Sequence, residues 1–300
     1  MTSGSALPRR ALGRKLRALR QKADKSRLAA ALAIEVSKQT IGRLEDGDPV
    51  RVSTSQYRDL LTFYEADDEA RSEAMVLVEE VKAEKGNSGV YWRHYAHGEY
   101  PRFLHFWSLE QAAEQVTAFK LTLLPGVLQA PDYRRWIMRT AAPDLPESHA
   151  EQQLELIATR RRRLIENPDS HLRVILSEAV LQHQIGNRAV MADQARLLLA
   201  LGELPNVSIQ VLPFGAGPHS GLLVQSFTLY EFPTLRENHP PEPAVLYIEG
   251  FKYELFLEDE PTTRGLIDYH RSALEDMGRA ALDEAATRRL VEEIAQKYSA

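Results

Sequence analysis

The sequence has no cysteine. That excludes disulfides, cysteine-held zinc, iron–sulfur clusters and a thiolate nucleophile, and it points to a reducing, cytoplasmic setting. No apolar run approaches the ~18 residues of a membrane span, and no charged-then-apolar leader opens the chain, so no membrane partner is expected. There is no Gly-x-Ser-x-Gly elbow, no His-Glu-x-x-His pair and no recognisable acid pair. No catalytic residue and no cofactor is assigned, although an enzyme whose residues meet only in space stays open. His94, His97 and His105 match no familiar ligand spacing, so no metal is expected. The loop Phe214–His219 lacks the lysine and following helix of a phosphate-binding loop.

What is present is 300 residues, enough for two domains at ~150 each. The net charge of −5 hides a segregation. Between Arg9 and Arg58 stand 13 Lys and Arg against 5 Asp and Glu, a net of +8 that leaves −13 for the remainder. A basic end on an acidic body points to an anionic partner, with nucleic acid foremost.

Residues 1–8 read as a tail. Leu12, Leu16 and Leu19 then make one apolar stripe on an arginine-studded helix. Further short helices follow to about Glu84, and Gly86-Asn87-Ser88-Gly89 reads as a linker. The spacing of Ser108 and Gln111 predicts a helix running into the turn at Pro125-Gly126. Strands are expected at Leu172–Leu176, Val207–Leu212, Phe227–Phe232, Val245–Ile248 and Tyr253–Leu257. Helices are expected over 148–166, 188–202 and 262–298. The fold class is therefore an all-α helix-turn-helix N-terminal domain, residues 1–85, joined to an α+β C-terminal domain, residues 91–300.

The informative stretch is Leu16–Gly47. Ala29–Ile34 and Ser37–Glu45 form two short helices around a tight turn. The second helix turns Ile41 and Leu44 inward and leaves Lys38, Gln39, Thr40 and Arg43 outward. Gln pairs with adenine edges, Lys and Arg with guanine, and the Thr methyl with thymine, so these four are the candidate base contacts. Arg14, Arg17, Arg20, Arg27 and Ser37 are candidate phosphate contacts.

Leu16-Arg17-Ala18-Leu19-Arg20, Ala31, Val36-Ser37, Ile41, Arg43-Leu44-Glu45 and Gly47 resemble the Xre-type (Cro/repressor-like) helix-turn-helix. Three positions depart from that pattern: Glu35 where the turn usually has Gly, Arg27 where the second helix usually has Gln, and Gly42 within the recognition helix. Further along come Tyr91-Trp92, Leu109-Glu110-Gln111-Ala112, Leu124-Pro125-Gly126-Val127-Leu128-Gln129, Asp132-Tyr133, Ser177-Glu178-Ala179, Asn206-Val207 and Val211-Leu212-Pro213-Phe214. That order resembles the WhiJ-like actinobacterial regulators, over nearly the full chain. The resemblance implies transcription control through double-stranded DNA, often beside a gene for a small protein partner, in an antitoxin-like arrangement.

Two half-sites call for a homodimer. The C-terminal domain is expected to bind a ligand or partner at Trp92, Trp107, Gly215, Gly217 and His219, materials of a concave site together with the Pro125-Gly126 turn. The four-arginine run Arg160–Arg163 reads as structural, with Arg161 paired to a buried acid. A sequestration protein that binds DNA for autoregulation, and a DNA-tethered enzyme, are the alternatives.

Overall fold

The computed structural model describes residues 6–48, 50–95, 109–234, 242–249 and 255–299. The chain divides into two compact units. One comprises Met1–Ala113 with Pro233–Glu242, the other Glu114–Phe232 with Pro243–Ala300.

The first unit is helical: α1 (Ala6–Lys22), α2 (Arg27–Ala33), α3 (Lys38–Glu45), α4 (Thr54–Phe63) and α5 (Asp68–Tyr95). α1 starts well before the Leu12 stripe, and Pro8 is accommodated in its first turn, where the N–H that proline lacks would have no intrahelical partner in any case. Ser26, Ser37 and Ser53 cap α2, α3 and α4, each accepting from a backbone N–H three residues on. Ser53 and Gln56 complete the expected capping box. Leu12, Leu16, Ala30, Ala31, Ile41, Leu44, Leu60 and Leu61 form the core with Ala74 and Val78. The expected linker at Gly86–Gly89 lies inside α5 instead. Glycine weakens a helix by only about 1 kcal/mol, so two of them do not stop one.

The second unit holds a six-stranded sheet of order β3-β2-β1-β4-β5-β6. The strands are β1 (Gln115–Lys120), β2 (His171–Ser177), β3 (Val207–Leu212), β4 (Phe227–Glu231), β5 (Val245–Ile248) and β6 (Leu255–Glu258). β1 runs parallel to β2, and β2 to β3, while β4, β5 and β6 add on antiparallel. Helices α6 (Pro131–Ala141) and α7 (Glu147–Glu166) lie between β1 and β2, and α8 (Ala179–Gln182) and α9 (Arg188–Leu201) between β2 and β3. α10 (Arg264–Ala280) and α11 (Glu284–Ser299) follow β6. Phe119, Ile175, Phe227, Leu229 and Leu246 pack with Ile267, Leu274 and Met277 of α10. The alternate residues Val116, Ala118, Val174 and Val211 are buried too, as a sheet covered on both faces requires.

β1 corrects an expectation. The helix predicted from Ser108 towards Pro125 is a strand from Gln115 onwards, and Ser108 lies outside the described residues. The Pro125-Gly126 turn opens a short 3₁₀ helix, Gly126–Leu128, that belongs to the interior. Gln194 accepts from the Ala130 N–H and donates to the Leu128 carbonyl. Among the described residues Arg161 has no buried acid as its partner. It donates through Nε to the Val127 carbonyl at 3.0 Å, and through Nη2 to the Gln129 carbonyl. Backbone carbonyls of an irregular segment take the guanidinium because no ladder uses them.

Candidate nucleic-acid interface

α2, the turn and α3 are set by their ends. Four helices of the first unit finish in the same double hydrogen bond, in which the two residues after the cap donate back into the last turn. At α2, Glu35 N–H reaches Leu32 and Val36 N–H reaches Ala31. At α3, Gly47 reaches Leu44 and Asp48 reaches Arg43. Asp24 and Lys25 close α1, and Glu65 and Ala66 close α4. Each motif places one residue at positive φ: Asp24 at 51°, Glu35 at 56°, Gly47 at 76° and Glu65 at 54°. Glu35 thus adopts the left-handed turn that glycine favours, and the helix-turn-helix geometry is kept despite the substitution.

On α3, Ile41 and Leu44 are buried, while Lys38, Gln39 and Arg43 are exposed and Thr40 is half-buried. Ser37 accepts from the Thr40 N–H at 3.0 Å, and the two hydroxyls stand 2.9 Å apart. Arg43 lies 3.5 Å from the Asp48 carboxylate.

The arginines expected at phosphates have intramolecular partners. The Glu45 carboxylate, 1 % exposed, receives Arg20 at 2.5 and 3.0 Å and Arg27 at 2.8 Å, with Arg17 at 3.8 Å. Burial pushes the Glu45 carboxyl up, but the hydrogen bonds from Arg20 and Arg27 prevail and hold it below the usual range. Arg17 also bonds Asp46, whose carboxyl is raised by burial. Arg14 donates to Glu242 at 2.6 Å. Of the three arginines at Glu45, Arg27 is the most exposed.

Two glycines set the closeness of α1 to α3: Gly47, part of the Xre-type pattern, and Gly13, not singled out from the sequence. A Cβ on Gly13 would stand 2.6 Å from the Leu44 carbonyl oxygen, and one on Gly47 would stand 2.9 Å from Arg10 Cα. Gly13 sits in a helix, where nothing in the pattern distinguishes a contact glycine from a weak point. Gly42 is different: a Cβ there would meet only the Arg27 guanidinium, at 3.8 Å.

In the second unit, Gly215, Gly217 and His219 share the connection from β3 to β4. Gly217 has φ +75°, and His219 is half-buried. The same connection exposes Phe214, Leu222 and Leu223 by 69–79 %. Trp92 falls within α5, where only the backbone is described, and Trp107, like His97 and His105, lies outside the described residues. Among the described residues no three His, Asp or Glu groups gather as metal ligands. No helix among them is long and apolar enough to cross a membrane.

Residues 11–74 match the model of a helix-turn-helix domain, and residues 103–293 match that of a domain of unknown function, DUF5753. The chain belongs to the DUF5753 family. This DUF5753 protein therefore joins an N-terminal helix-turn-helix, the element of DNA-binding regulators, to an α+β C-terminal domain. No curated protein and no solved structure matches it.

Proposed function

We propose that this DUF5753 protein is a sequence-specific regulator of transcription that reads double-stranded DNA as a homodimer and is controlled through its C-terminal domain. The observation that carries the reading is α3: Ile41 and Leu44 seat it in the core, and Lys38, Gln39, Thr40 and Arg43 are left outward inside a stretch of net charge +8. Lys38, Gln39, Thr40 and Arg43 meet base edges. Arg27 and Ser37, at the starts of α2 and α3, meet phosphates, and Arg14, Arg17 and Arg20 act mainly by orienting the helices. The chain performs no catalysis in this reading.

The regulating occupant is a small protein or ligand at the connection carrying Gly215, Gly217 and His219. Three large apolar side chains exposed on one connection favour a protein partner there. The WhiJ-like resemblance points to the product of a neighbouring gene, with the antitoxin-like arrangement as its variant.

The test is Gln39→Ala against duplexes selected by the wild-type chain from a random pool. The expected loss is ~1–3 kcal/mol on selected DNA and little on unselected DNA of equal length. Equal losses on both would remove the base-reading role.

A further inference from the structure

Glu242 belongs to the first unit although it follows the strand β4 of the second. Its carboxylate is 2 % exposed. Arg14 donates to one oxygen at 2.6 Å, and Arg10, itself 1 % exposed, stands 3.6 Å from the other. A buried carboxylate opposite two guanidiniums fixes their positions, because moving one away leaves charge uncompensated in a poorly solvated place.

The same stretch of α1 is locked to the end of the recognition helix. Arg9 Nε donates to the Gly47 carbonyl at 3.3 Å. Gly13 and Gly47 let α1 and the end of α3 meet with no room for a methyl group. Arg17 donates to the Glu45 carbonyl at 3.3 Å. Such close packing transmits a displacement rather than absorbing it.

We propose that Glu242 is a positioning residue for DNA reading: by holding Arg10 and Arg14 it sets α1 against the end of α3, and so the aim of Lys38, Gln39 and Arg43. The proposal rests on the DNA-reading function above. Glu242 touches no DNA. Its loss therefore lowers discrimination between duplexes while leaving non-specific attraction intact, since Arg10 and Arg14 keep their charge.

The test uses the full chain with Glu242→Gln, which keeps the size and removes the charge, and Glu242→Asp, which keeps the charge. The probes are a duplex selected from a random pool by the wild-type chain and an unselected duplex of the same length. Amide hydrogen exchange is read in parallel. Glu242→Gln is expected to cut the affinity ratio about tenfold, within the usual span of couplings, with no shallower salt dependence. It is also expected to speed exchange at residues 44–48 and not in α4. Glu242→Asp recovers part of both. An unchanged ratio together with unchanged exchange at 44–48 overturns the proposal. If Glu242→Gln fails to fold, a folded Glu242→Asp with wild-type ratio and exchange overturns it equally. If the wild-type chain binds no duplex, the DNA-reading function fails and exchange at 44–48 alone decides the positioning role.

Discussion

Glu45 is a charged side chain in a core position, and the arginines around it make that tolerable. Its carboxyl is held below the usual range, so it binds protons less readily folded than unfolded. Its contribution to stability is thus present above the ordinary glutamate pKa of about 4.3 and is lost as pH falls through the lower folded value. Asp46, raised by burial, works in the opposite sense, and comparison with Glu45→Gln removes its contribution except for the part that the Glu45 charge itself causes. Melting of the wild-type chain minus that of Glu45→Gln, followed from about pH 6 to about pH 3, should show a stabilisation that disappears at the acid end. A difference that is flat with pH would deny the charged state of Glu45 its role. The left-handed positions give a second pair of outcomes. Glu35→Gly should raise stability by about 1 kcal/mol in urea unfolding by relieving the αL penalty. Gly47→Ala should lower it by about 1–3 kcal/mol or more, since strain adds to the collision with the Arg10 backbone.

Among the elements, β1 carries the largest consequence. It lies between β2 and β4, joining the parallel and antiparallel halves of the sheet. Phe119→Ala should cost about 3–5 kcal/mol, read as a lowered urea midpoint, because its ring is fully enclosed by Phe227 and α10. Leu255→Ala on the exposed edge strand β6 should stay within about 0.5 kcal/mol. β1 was the element least legible in the sequence. Gln115-Val116-Thr117-Ala118-Phe119-Lys120 shows no alternation, since Thr117 and Lys120 are buried alongside Val116 and Phe119. The signals for β2 to β5 were read correctly because β-branched and aromatic runs ended at Pro, Gly or a polar residue. The closing helical stretch was legible, but its break was not. Ala281 turns extended, and Asp283 starts α11 by accepting from the Ala286 N–H. In the helix-turn-helix, the serine caps and the inward Ile41 and Leu44 could be read directly. The partners of Arg17 and Arg20 could not, because a carboxylate 25–29 residues away leaves no periodic trace.

At the scale of the whole molecule, charge is segregated along the chain, with +8 between Arg9 and Arg58 on a total of −5. Duplex binding should therefore weaken steeply with salt, by about 10³–10⁵ between 50 and 200 mM if ~6–10 phosphates are contacted by a dimer. Titrations over that range check this, and a flat response would exclude phosphate neutralisation as the source of affinity. The division of the chain differs from a simple cut after residue 85, because Pro233–Glu242 belongs with the helical unit. That membership has a consequence for the order of events on the ribosome. Arg14 and Glu242 are 228 residues apart in sequence. At about 5–20 residues per second, the carboxylate that α1 needs is synthesised roughly 10–45 s after α1 itself. The nascent helix-turn-helix spends that interval with Arg10 and Arg14 lacking their downstream acid. A chain released early by a premature stop would never acquire it, and under the positioning role proposed for Glu242 such a chain would read DNA with reduced discrimination.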